Sequence, residues 1–364
     1  MKKMEKFSDI FVDCTSEGTK ISKEEYMKEG KAIIIDQGMN KIAGYTNREN
    51  GLYTDVPAII FGDHTRIIKY IDKPFFLGAD GVKLLKAKDK SANYKYLYYA
   101  LRNAKIPNTG YNRHFKWLKE VQIKYPNREK QKEIVEILDI VSIIIQNRKL
   151  ELKLLDDLTR ARFVEMFGDQ KTNLNNFEVA KLSDVADIYL GLTHTPNYVT
   201  EGRPFLSVRD ISSGIIDFSN CHYITEEEFA SLPNGARPKA GDMLFCRVGT
   251  IGKPVIIPEG VPEFGIFVSV GYLRKKANAN NYYLKSWMEN EYFMQQVYDN
   301  VAGASQINLN TGWLKNFRIL LPPLELQNQF ADFVKAVDKS KAAVQKALDQ
   351  AQLLFDSLMQ EYFG

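Results

Sequence analysis

Two stretches of the chain, Pro126 to Gly168 and Pro322 to Gly364, carry apolar residues alternately four and three positions apart. The seams read Ile134, Leu138, Val141, Ile145, Arg148, Leu152, Leu155 in the first, and Phe330, Val334, Val337, Lys341, Val344, Leu348, Ala351, Phe355, Leu358 in the second. This spacing predicts two coiled-coil helices, each entered at a proline suited to a first helical turn. At about 1.5 Å per residue each helix runs roughly 57 Å, too long for the interior of a small domain. The two are therefore expected to pack on each other. Arg148 and Lys341 interrupt the seams. Either their stems pack while the charges reach water, or the charges make polar contacts that set the register.

The two stretches also match each other without a gap at an offset of 196, with Glu129 on Glu325, Gln131 on Gln327, Glu165 on Glu361 and Phe167-Gly168 on Phe363-Gly364. The match extends upstream, where Trp117-Leu118-Lys119 falls on Trp313-Leu314-Lys315. The segments between correspond more weakly: Lys6-Phe7-Ser8-Asp9-Ile10 is like Lys181-Leu182-Ser183-Asp184-Val185, and Asn93-Tyr94-Lys95-Tyr96-Leu97 is like Asn280-Asn281-Tyr282-Tyr283-Leu284. The drifting offset places extra loop residues in the second copy, around Ile211 to Ala240 and Glu291 to Ser305. Short apolar runs bounded by turn residues predict strands at Ala32 to Ile35, Ala58 to Phe61, Val82 to Leu85, Phe205 to Val208, Met243 to Arg247, Pro254 to Ile257 and Phe267 to Leu273. Helical patterns cover Tyr94 to Asn103, Thr225 to Ser231 and Tyr282 to Tyr298. The expected fold is α+β: two similar globules, 1–125 and 169–321, alternating with two long helices, 126–168 and 322–364. The helices should form an antiparallel coiled coil in a pseudo-two-fold repeat.

Composition narrows the class. With 364 residues, 45% hydrophobic and 26% charged, the chain is expected to fold as two or three globular domains. Its longest apolar stretch is cut by Glu136 and Asp139, so no membrane span is expected. The basic start is followed by Phe7-Ser8-Asp9 rather than an apolar leader, and the three separated cysteines form no disulfide or zinc pattern, which fits a cytoplasmic location. Charge is uneven: 23 basic against 15 acidic residues leave 1–125 at +8, whereas 14 against 16 leave 169–321 at −2. No phosphate-loop, zinc-protease, nucleophile-elbow or adenine-methyltransferase motif occurs, so no catalytic residue, cofactor or metal is expected.

Several strings, taken with the repeat, are similar to one family. They are Gly191-Leu192-Thr193 to Pro196, Phe205-Leu206-Ser207-Val208-Arg209-Asp210-Ile211, Gly241 to Gly252, Gln306-Ile307-Asn308 and Leu321-Pro322-Pro323-Leu324 in the second half. In the first half they are Ile34-Ile35-Asp36-Gln37-Gly38, Ile42 to Thr46, Phe61 to Arg66 and Leu77 to Val82. Across essentially its whole length the chain resembles the DNA-specificity (S) subunit of type I restriction-modification systems. The first helix departs from the pattern, opening with Pro126-Asn127 rather than a double proline. The resemblance implies two target-recognition domains that read a bipartite, asymmetric site on double-stranded DNA. It also implies two methyltransferase (modification) subunits as partners, with restriction subunits in the full complex. A non-catalytic coiled-coil scaffold that binds only proteins shares the repeat and stays open as the alternative.

Base reading needs polar side chains on loops at strand ends, and phosphate contact needs cations. In the first globule Asp63, His64, Thr65 and Arg66 follow a strand, where small Gly62 permits close approach; this loop is either a DNA contact or a structural turn held by Asp63. Arg113 is a further candidate, while Asn112 and Asn308 either cap structure or touch DNA. In the second globule Arg247, Gly249, Thr250 and Lys253 occupy the corresponding strand end, with Arg209 and Asp210 nearby. The tyrosines of Tyr94 to Tyr99 and the aromatics of Tyr282 to Tyr298 are read as core packing.

Overall fold

The computed structural model describes residues 4–78, 81–301 and 307–364; Ala79, Asp80 and Gln306 of the strings above lie outside them. The chain forms two compact units, Met1–Leu150 with Gln345–Gly364, and Glu151–Val344. Each unit holds one globule and part of each long helix, and each is described by itself.

The first globule contains β1 (Met4–Lys6), β2 (Phe11–Asp13), β3 (Ala32–Ile35), β4 (Gly44–Thr46), β5 (Ala58–Gly62), β6 (Ile68–Ile71), β7 (Phe75–Leu77), β8 (Val82–Ala87) and β9 (Gln122–Lys124). They build three sheets in the orders β1-β9, β2-β8-β5-β6 and β4-β3-β7, the last with β3 and β7 parallel. The second globule contains β10 (Glu178–Lys181), β11 (Ala186–Leu190), β12 (Arg203–Leu206), β13 (His222–Ile224), β14 (Met243–Cys246), β15 (Val255–Ile256), β16 (Gly265–Ile266), β17 (Val270–Lys275) and β18 (Arg318–Leu321). Its sheets run β10-β18, β11-β17-β14-β15 and β13-β12-β16, with β12 and β16 parallel. Among the described residues, every strand of the first globule thus has its counterpart nine strands later. The weak sequence correspondence between the globules is a full topological repeat.

Local chemistry explains the elements. The inner strands β5 and β14 are buried along their whole length, which is why they read as unbroken apolar runs rather than alternating ones. The helix Tyr94–Arg102 begins at Asn93, whose side chain accepts from Tyr96 N–H, and its counterpart Asn281–Met288 begins at Asn280, which accepts from Tyr282 N–H. The expected single helix from Tyr282 to Tyr298 is two: Asn290 accepts from Tyr292 N–H and starts a second helix, Glu291–Asn300. Much of the segment expected as extra loop after Glu291 is therefore helical. An asparagine cap within an apolar pattern breaks a helix without disturbing its periodicity.

The long helices span Arg128–Phe167 and Leu324–Phe363. In the first unit Ile134, Leu138, Val141 and Ile145 pack with Phe355 and Met359 in the core that also holds Tyr96, Leu97 and Leu101. In the second unit Phe163 and Phe167 pack with Phe330, Val334, Tyr283 and Trp287. In each unit the start of one helix meets the end of the other, the antiparallel arrangement that the seams imply. Lys341 resolves one interruption: its ammonium pairs with the exposed Asp156 carboxylate on the facing helix at 2.7 Å, a polar contact at the edge of the seam.

Equivalent residues lock the entry to each long helix. Tyr96 donates its buried hydroxyl to the Lys124 carbonyl at 2.5 Å, and Tyr283 donates to that of Leu320 at 2.6 Å. The buried amides of Gln131 and Gln327 donate to the carbonyls of Pro126 and Pro322 at 2.9 and 2.8 Å. Gln327 does more, accepting the Asn280 N–H at 2.9 Å. Substituting Gln327→Leu strands that N–H and the Pro322 carbonyl inside the protein. It should destabilise the chain by about 1–3 kcal/mol, read as a lower midpoint of urea unfolding.

Candidate nucleic-acid interface

In both globules two strand ends and a returning segment converge. In the first these are the ends of β3 and β5, with the segment that comes back at residues 104–115. Asp63 is buried and fully engaged: its Oδ1 accepts Phe115 N–H at 2.7 Å, its carbonyl accepts His114 N–H at 2.7 Å, and its own N–H donates to Gly81. The carboxylate therefore fastens the returning segment rather than facing solvent. His114, itself buried, places Nδ1 3.0 Å from the Asp63 carbonyl, which requires the proton on that nitrogen, and leaves Nε2 toward Thr109.

The rest of the 63–66 loop is shaped the same way. Thr65 donates its hydroxyl to the Gln37 carbonyl at 2.7 Å, and His64 N–H donates to Gln37 Oε1 at 3.1 Å. A Cβ at Gly62 would collide with Thr65 Oγ1, so the close approach expected of this glycine serves the loop's own side chain. Arg66 sits at φ 62°, a left-handed conformation uncommon outside glycine, and donates through Nη1 to the Ile106 carbonyl at 3.2 Å. His64 and Arg113 remain at the surface, with Tyr111 stacked on the His64 imidazole at a centroid distance of 4.6 Å.

In the second globule β14 pairs with β17 as β5 pairs with β8, and the shared register sets Arg247 on Asp63. The side chains are opposite in charge and equivalent in task. Arg247 donates from Nε to the Leu309 carbonyl at 3.0 Å and from Nη1 to that of Val268 at 2.9 Å, while its carbonyl accepts Leu309 N–H at 2.8 Å. Burial without a counter-charge pushes its pKa down from the usual arginine value. Asp210, unlike the half-buried Arg247, is fully buried, accepting from the N–H and hydroxyl of Ser207 at 2.7 and 2.9 Å at the turn after β12. Arg209 reaches the Asn220 carbonyl at 3.0 Å with its side chain half exposed. Ser269 joins the two strand ends, its hydroxyl accepting Val208 N–H and its carbonyl accepting Arg247 N–H. Gly249 turns the loop at φ 73° beside half-buried Thr250, and Lys253 lies exposed.

The structure thus gathers Asp63, His64, Thr65, Arg66 and Arg113 at one strand-end cluster, and Arg209, Asp210 and Arg247 at the equivalent one, with Gly249, Thr250 and Lys253 on the loop that follows Arg247. It divides each set into residues that hold loops and residues that face outward. Gln37 and His114 were not singled out by sequence. Gln37 lies in the string Ile34 to Gly38, but its task depends on a strand end 27 residues away, and a single histidine in a loop carries no local signal. Among the described residues no group of three or more His, Cys, Asp or Glu side chains is placed to hold a metal ion, and no helix is long and apolar enough to cross a membrane.

Residues 1–154 and 175–352 match the family profile of the type I restriction modification DNA specificity domain. A curated relative, the type I restriction enzyme MjaVIII specificity subunit of Methanocaldococcus jannaschii, is 23% identical over 359 residues, covering 89% of this chain and 81% of that one. The crystal structure of a type I restriction-modification S subunit from M. genitalium superposes with a TM-score of 0.62 at 18% identity, covering all of this chain and 96% of that one. A chain solved in work on complex assembly and conformational transition of the type I R-M system gives 0.53 at 15% identity, covering 99% and 97%.

The latch at Arg247 can be tested against its exposed neighbour. Arg247→Met leaves two carbonyls without their donor and should lower stability by about 1–3 kcal/mol, whereas Lys253→Met should stay within about 0.5 kcal/mol of the parent. Denaturant midpoints of the full chain measure both.

Proposed function

This chain belongs to the type I restriction modification DNA specificity family, and from that premise we propose that it reads a bipartite, asymmetric DNA target with one half-site per globule. One observation carries this reading. The same strand plan occurs twice, yet the loops at equivalent strand ends differ in every side chain, Asp63-His64-Thr65-Arg66 against Arg247-Val248-Gly249-Thr250. A repeated scaffold with unlike tips suits two half-sites of different sequence. His64, Arg113, Arg209 and Lys253 are the DNA contacts of this reading. Asp63, Thr65, Arg66, Asp210, Arg247 and Gly249 hold the loops, and Thr250 stands between the two groups.

The role is recognition rather than catalysis, carried out in the cytoplasm beside methyltransferase and restriction subunits. The first long helix supports a docking role, for it keeps Ile140, Ile143, Ile144, Leu150, Leu154 and Leu158 exposed in addition to its buried seam. A helix apolar on a second face has a surface left for a partner. Bound modification subunits would also supply the cations that the second globule, at −2, lacks for phosphate neutralisation.

Co-expression with the modification subunit, followed by single-molecule sequencing of host DNA, should reveal one gapped, asymmetric motif methylated at adenine on both strands. Exchanging the first globule should rewrite one half of that motif only. A stable complex that adds no methylated motif would overturn the reading in favour of a protein-binding scaffold. In the assembled complex, Arg113→Met and Lys253→Met should each flatten the dependence of log affinity on log salt by about one unit.

A further inference from the structure

Met39 is 90% exposed and Tyr111 87%, large apolar side chains of the first globule held almost wholly in water. Both lie on loops bonded to His64. Gln37, two residues before Met39, receives the His64 N–H and the Thr65 hydroxyl. Tyr111 lies flat on the His64 ring, the two planes only 8° apart.

Both loops are tightly built. Lys69, only 6% exposed, directs its ammonium between the carbonyls of Asp36 and Asn40 at 2.7 and 2.6 Å, which closes the loop that bears Met39. In the other loop the Asn112 amide donates to the Thr109 carbonyl, Gly110 N–H donates to Asn108 Oδ1 at 3.2 Å, and Arg66 holds the Ile106 carbonyl. Gly110 takes φ 75°, with nothing within 4 Å of where a Cβ would stand, and this left-handed bend turns Tyr111 outward.

A rigid frame that presents an aromatic ring and a thioether to water recovers hydrophobic free energy when they are covered and loses little conformational entropy in doing so. Duplex DNA offers matching chemistry: thymine methyls in the major groove, and base steps that accept apolar wedges, methionine among them. The charge agrees, since residues 1–125 carry +8 and Arg113 stands exposed two positions after Tyr111. We propose that Tyr111, backed by His64, and Met39 form the base-specifying tip of the first globule on double-stranded DNA, with Arg113 on a neighbouring phosphate. This deepens the recognition reading above and rests on it.

The test uses the full chain assembled with its modification subunits and a pool of randomised duplexes, sequenced after selection. Tyr111→Ala and Met39→Ala are compared with the parent and with Leu174→Ala, a side chain 80% exposed in the second unit. Each tip variant should lose preference at a few adjacent positions of one half-site, keep the other half-site, and bind the parent target on the order of tenfold to a hundredfold more weakly. Leu174→Ala should match the parent. Because Tyr111 and Met39 are solvent-exposed, thermal unfolding should not move. Loss of affinity spread evenly over all sequences, or no change, would overturn the proposal. Reduced assembly with unaltered sequence preference would overturn it in favour of a protein contact. A parent complex that selects no sequence at all would overturn both this proposal and the recognition reading.

Discussion

The joint where each globule passes into its long helix is fastened by two buried hydrogen bonds, and the placement of the strand-end loops depends on it. A tyrosine hydroxyl from the short globule helix holds the strand just before the joint, and a glutamine from the first turn of the long helix holds the proline carbonyl at the joint itself. Both groups are inside the protein, where losing a partner costs far more than the bond contributes to an exposed contact. Within each unit the globule is therefore tied to its helix at the joint. The joint is built from equivalent residues in both copies, while the strand-end loops have diverged.

The latches at Asp63 and Arg247 show how that divergence is possible. Both positions must satisfy a returning backbone segment that is tied to the same strand end. A carboxylate does so by accepting an N–H, and a guanidinium by donating to carbonyls. The backbone requirement is constant and the side chain that meets it is free to change sign. Charge at these positions is thus a poor guide to what faces a ligand, because it is used up within the loop. Outward-facing chemistry falls to less buried neighbours, and in the first globule to an ordered aromatic and thioether tip.

The two globules also differ in electrostatics in a way that suits a shared role. The first segment is basic and the second slightly acidic, so a duplex held by both would meet unequal attraction along its length. Groove contacts set by shape and apolar surface need less positive charge than phosphate contacts do. Much of the non-specific affinity would then reside in partner subunits, which is consistent with an exposed apolar face along the first long helix.

The sequence alone determined the elements whose signal is local or repeated. The seams, the 196-residue offset, the α+β class and the strands at Ala58 and Met243 were legible because periodicity and self-similarity need no knowledge of distant partners. The loops carrying the candidate contacts were legible as places, at strand ends. The roles within them were decided only by tertiary structure. Asp63 meets Phe115 across 52 positions and Arg247 meets Leu309 across 62, and no pattern in a single chain records such pairings. Burial decides whether a charged group is a fastening or a contact, and burial is set by which segment returns to cover it.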